Sequence, residues 1–162
     1  MSSFKNLKKL IYFIYYNKLN KTKTVSVSSI IKFSKINLLE VVDKAGGLTF
    51  QELVSILGIC SIFPSGKVLE IGSFRGRTAL NIIYNFPNIK LYTFDLPENF
   101  TDQKNLKYKL IESDKFQAFH KEKNELKIKY NDFFSKINSI EGDSATYDFS
   151  NFDNFFDIII ID

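Results

Sequence analysis

Lys67-Val68-Leu69-Glu70-Ile71 is a short strand-forming run that stops at Gly72, and a second glycine, Gly76, opens the amphipathic run Arg77–Phe86. Ala79, Ile82, Ile83 and Phe86 share one helical face, and Pro87 closes the helix. Gly72 lets the chain turn sharply off the strand, and Gly76 lets the loop return into the helix. A second strand, Ile89 to Asp95, follows at once. Strand, glycine-bracketed turn, helix and strand are the opening of a doubly wound α/β sheet.

The flanking sequence extends this pattern. Thr49 with Glu52 three residues on has capping-box spacing, and Leu53, Ile56 and Leu57 make the stripe of a helix that Pro64-Ser65-Gly66 ends. Leu96 to Ser135 is charged and predicted helical in part, around Leu106, Leu110 and Ile111. Lys136 to Glu141 reads as a third strand, running into Gly142-Asp143-Ser144. Phe156 to Asp162 is a fourth, apolar enough for a central parallel strand buried on both faces. The predicted fold is a Rossmann-like three-layer α/β/α sandwich with a mostly parallel sheet. A strand so apolar calls for neighbours on its far side. The sheet is therefore expected to be incomplete, with strands 1–4 present, later strands missing and the chain a fragment.

The 162 residues amount to one domain's worth of chain. Their net charge of +4 is unevenly placed. Residues 1–39 hold eight lysines and no acid, which leaves 14 basic against 18 acidic residues in the rest. The division expected is a basic, partly helical arm over 1–45 and a cofactor-binding domain over 46–162. Phe4, Leu7, Ile11 and Ile14 fall at helical spacing among lysines. The arm reads as a helix packing on its own domain in preference to one lying on a membrane. An acidic body gives no reason to expect nucleic acid. One cysteine, Cys60, excludes a disulfide framework or a cysteine zinc site, and the lone histidine, His120, excludes a histidine-rich metal centre. No apolar stretch approaches the ~20 residues of a membrane span, and no signal peptide opens the chain, so the setting expected is cytoplasmic.

Chemistry concentrates at the strand-to-helix turn Glu70-Ile71-Gly72-Ser73-Phe74-Arg75-Gly76-Arg77-Thr78. The free N–H groups at that helix start form an anion site. Asp95, ending the second strand, can accept both hydroxyls of a ribose, and Asp143 with Ser144 can meet an adenine amine. All lie at the carboxyl ends of strands, where such sheets bind ligands. A nicotinamide fingerprint wants Gly-x-Gly-x-x-Gly, and here those positions read Gly72, Phe74 and Arg77. S-adenosylmethionine carries no phosphate; its carboxylate suits the helix start and Thr78, and its cationic groups suit Glu70. Arg75 and Arg77, the chain's two arginines, could hold a carboxylate or pair with a surface acid. Cys60 reads as core and His120 as a solvated surface residue.

The run Val68 to Thr78 resembles motif I of class I S-adenosylmethionine-dependent methyltransferases, in the catechol O-methyltransferase-like variant with a bulky middle position. Leu91-Tyr-Thr-Phe-Asp-Leu-Pro97, Ile140 to Ser150 and Phe156 to Asp162 resemble the second, third and fourth strand motifs. Together they are most similar to the bacterial methyltransferase family 24 group, over roughly Leu48 to Asp162. The resemblance implies S-adenosylmethionine as cofactor, held by Glu70, Gly72, Ser73, Phe74, Gly76, Thr78, Asp95, Leu96, Asp143 and Ser144. Asp162 matches a position that lies near the transferred methyl or, in metal-dependent members, ligates a divalent cation. The activity implied is methyl transfer to a small-molecule or glycan-type acceptor, the fragment alone being inactive. An NAD-dependent oxidoreductase and a non-catalytic nucleoside-binding or interaction module are the rival readings.

Overall fold

A computed structural model describes residues 35–41, 47–97, 100, 104, 106–112, 115 and 125–161. All fall within one compact unit, Phe33–Asp162. The amphipathic pattern from Phe4 to Ile14, His120 and Asp162 lie outside the described residues.

Helix α1, Phe50–Cys60, starts with a full capping box: the Glu52 amide donates to Thr49 Oγ1 (3.3 Å), and the Thr49 amide donates to Glu52 Oε2 (2.8 Å). Those bonds to Thr49 hold the Glu52 carboxyl below its ordinary range. Leu53, Leu57 and Cys60 are its buried stripe. Burying each leucine is worth roughly 1.5–3 kcal/mol, which outweighs the helix's entropic cost where propensity alone would not.

Strand β1, Lys67–Ile71, leads into helix α2, Arg77–Asn85, and strand β2, Lys90–Asp95. Two short helices, α3 (Glu125–Lys129) and α4 (Asn131–Phe134), precede strand β3, Asn138–Glu141. A 3-10 turn at Ser150–Phe152 precedes strand β4, Ile158–Ile161. The strands are all parallel, in the order β3-β2-β1-β4. That order reverses direction beside β1, the topological switch of a doubly wound sheet. The fold is Rossmann-like α/β.

The two faces are covered differently. On one, Val68, Leu91, Ile158 and Ile160 pack with Leu53, Leu57 and Cys60 of α1 and Ala79, Ile82 and Ile83 of α2. On the other, Tyr92 meets Phe152, Phe155 and Phe156 at ring centroids 6.4, 5.6 and 5.3 Å apart. Phe94 meets Tyr147 and Phe149 at 4.8 and 5.2 Å. Edge-on and tilted contacts of this kind stabilise beyond the area they bury.

Two expectations need correction. Leu106 to Ile111 form bends and irregular backbone in place of a helix. Tyr108 and Ile111 there are each 66% exposed, while Leu106 and Leu110 are half-buried. The last strand is not buried on both faces: Ile158 and Ile160 are 6% and 9% exposed, but Ile159 and Ile161 are 41% and 66%. Among the described residues β4 pairs only with β1, and the aromatic layer gathers on Tyr92 and Phe94 of β2.

Candidate functional site

The turn between β1 and α2 is built on three left-handed residues: Gly72 at φ 87°, Phe74 at 45° and Gly76 at 76°. Within it the Gly72 amide donates to Phe94 O (2.9 Å) and the Gly76 amide to Ser73 O (2.7 Å). Gly76 is required twice over. Its φ disfavours a side chain, and a Cβ there would stand 2.6 Å from Cε1 of Phe134. Phe74 enters the same region at a cost of roughly 1–2 kcal/mol. Its amide donates to Asp95 Oδ2 at 2.8 Å, a charge-assisted bond that offsets the strain.

Asp95 is therefore the joint between the end of β2 and the turn. Besides Phe74 it accepts from the Leu96 amide (Oδ1, 2.7 Å) and more distantly from Ser73 Oγ (Oδ2, 3.4 Å). These residues line an open cleft beyond the ends of β1, β2 and β3. Thr93 and Ser139, whose hydroxyls lie 3.3 Å apart, with Glu141 and Lys127, complete the polar lining. Glu141 sits opposite Asp95 in the strand register, so two carboxylates flank the same opening.

The structure thus brings Ser73, Phe74, Asp95 and Leu96 together on the cleft, with Gly72 and Gly76 in the turn that borders it, while Glu70, Thr78, Asp143 and Ser144 are not in its lining. Glu70 is 1% exposed beneath the helices, and the Cys60 thiol is pushed up to about 12 by its own burial and then by the Glu70 charge. Desolvation is the larger cause. Thr78 is 5% exposed in the first turn of α2. Asp143 binds backbone: it accepts from the Lys107 amide (3.1 Å) and the Ala145 amide (2.9 Å), which hold its carboxyl below the ordinary range. Ser144 is exposed beside it.

The Arg77 guanidinium donates to the Leu48 carbonyl, and that of Arg75 lies 5.3 Å from the centre of the Phe74 ring. Among the described residues, no three of His, Cys, Asp and Glu converge as a metal site would need, and no helix is long and apolar enough to cross a membrane. The Asp162 assignment, catalytic or metal-binding, falls outside them.

Thr93, Ser139, Glu141 and Lys127 escape sequence reading. Strand alternation could have put Thr93 and Asp95 on one face, but only the register brings Ser139 and Glu141 beside them. Nothing in the sequence brings Lys127 to the same opening.

No family model matches the sequence, and no curated protein matches it. Of solved structures, the chain is similar to a Staphylococcus aureus protein assigned as a caffeoyl-CoA O-methyltransferase. The TM-score is 0.43 at 16% identity, over 95% of this chain and 58% of that one. The chain spans a little over half the length of that protein.

Proposed function

We propose that the chain carries the cofactor site of an S-adenosylmethionine-dependent methyltransferase, with the nucleoside in the cleft beside Asp95. The observation that carries this reading is the joint between Asp95 and the Gly72–Gly76 turn. A carboxylate offers about four acceptor positions, and short backbone bonds from Phe74 and Leu96 use two. The long contact from the rotatable Ser73 hydroxyl yields readily to a sugar diol. Ser73, Thr93 and Ser139 add hydroxyls and Lys127 an ammonium, a donor set that fits a nucleoside. When bound, the cofactor supplies an electrophilic methyl group on a sulfonium. The chain's part is to orient it. Under this reading Asp143 shapes the loop after β3, the acceptor is a small molecule and the setting is cytoplasmic.

Phe74 argues against a dinucleotide. In the nicotinamide fingerprint a glycine there lets the pyrophosphate reach the backbone. Here that position is Phe74, which has a side chain where the fingerprint needs none. Calorimetry is expected to show S-adenosylhomocysteine binding and no binding of NAD. Tighter binding of NAD overturns the reading.

A further inference from the structure

Two asparagines of α2 hold a distant stretch of chain as a neighbouring strand would. The Leu39 amide donates to Asn81 Oδ1 (2.8 Å), and Asn81 Nδ2 donates back to Leu39 O (3.0 Å). One turn on, the Asn37 amide donates to Asn85 Oδ1 (2.9 Å), and Asn85 Nδ2 donates to Asn37 O (2.8 Å). The match is geometric: four helical residues rise about 6 Å, close to the advance of two extended residues. Each Nδ2 spends its second hydrogen on α2 itself, at Arg77 O and Asn81 O, both at 2.8 Å, so both carboxamides are locked. Ile36 and Leu38, alternating with the clamped residues, pack against the core.

At Glu40 the chain leaves the clamp with φ 52°, a left-handed value that glutamate enters at a cost. Its carboxylate accepts from Lys129 Nζ (2.6 Å) and Tyr130 Oη (2.7 Å). Lys129 closes α3, the helix whose Lys127 lines the cleft. The cleft's other wall is the turn that opens α2. One short segment thereby ties together the two elements that border the opening.

We propose that Asn37–Glu40 is a strap that sets the spacing of the cleft walls. Asn81, Asn85 and Glu40 act as its positioning residues, and ligand occupancy is linked to strap closure. The proposal rests on the reading above only for the identity of the ligand. The strap bonds α2 at one end and α3 at the other, a tie additional to α4, whose Phe133 packs on Tyr84 of α2.

Amide hydrogen exchange on the whole chain tests this without ligand. Glu40→Gln is expected to speed exchange of the Asn37 amide, at the far end of the strap, by about threefold or more. Asn85→Ala is expected to do the same, at about threefold or more, for the Tyr130 amide, which bonds to Leu126 O within α3. The Leu53 amide of α1 should be unchanged, separating release of the strap from general loosening. Unchanged exchange at both far ends overturns the strap, whatever the ligand does. In a second arm, S-adenosylhomocysteine is expected to slow both amides in the wild type, and its Kd should rise about three- to tenfold in Glu40→Gln. An unchanged Kd with coupled exchange overturns the link to the cleft. Failure of the wild type to bind S-adenosylhomocysteine, with the exchange coupling intact, removes the proposed ligand and leaves the strap standing.

Discussion

Asp95 and Asp143 end neighbouring strand regions with the same side chain but different surroundings. Asp95 faces the cleft with acceptor capacity beyond its bonds to Phe74 and Leu96. Asp143 turns both oxygens onto backbone amides and stands off the cleft lining. Loss of two charge-assisted bonds to a sugar costs on the order of 2–4 kcal/mol, or roughly 30- to 1000-fold in affinity. Asp95→Asn is therefore expected to weaken S-adenosylhomocysteine binding within that range, measured by calorimetry. Because the same carboxylate holds the Phe74 amide, unfolding free energy should fall as well, by about 1–3 kcal/mol. Asp143→Asn should leave affinity within about threefold, since the groups it loses are those of its own loop. Equal losses in the two variants would refute the assignment of the cleft to Asp95.

At the scale of elements, strand β4 separates what composition suggests from what packing uses. Four successive isoleucines read as uniformly buried, yet only alternate ones reach the core. Ile160→Ala removes methylenes from the face packed on α1 and α2 and should cost about 2–5 kcal/mol in urea unfolding. Ile161→Ala, at a side chain 66% exposed, should fall within about 0.5–1 kcal/mol of wild type. Comparable losses would mean that both faces are covered. The helices repeat the lesson in milder form. Capping residues and apolar stripes put the start of α1 and both ends of α2 within a residue of their observed bounds, because those signals act within a few residues of each other, whereas α1 ends at Cys60, ahead of the Pro64 break. The 106–111 segment carries the same spacing, yet it half-buries Leu106 and Leu110 on irregular backbone and leaves Ile111 exposed.

For the molecule as a whole, Cys60 is a built-in reporter of folding. It is 0% exposed at the end of α1, with its thiol pushed up to about 12 by burial and by Glu70. At pH 8 a thiol reagent should label the folded chain at least about a thousandfold more slowly than the urea-unfolded chain, tracking global unfolding. Fast labelling of the native protein would mean that α1 opens independently of the sheet. The sequence by itself determined the strand–turn–helix frame, the parallel sheet and the residues of the glycine turn. Strand period, capping spacing and the conformational freedom of Gly72 and Gly76 are local properties, written within a few positions. Only the tertiary structure decided which side chains share the cleft and what ties its walls. Register brought Ser139 and Glu141 beside Thr93 and Asp95, and Asn81 met Leu39 across 42 residues of chain. It also spent Asp143 on backbone and sank Glu70 beside Cys60. Contacts between distant segments depend on how elements pack, and no short pattern of residues encodes that.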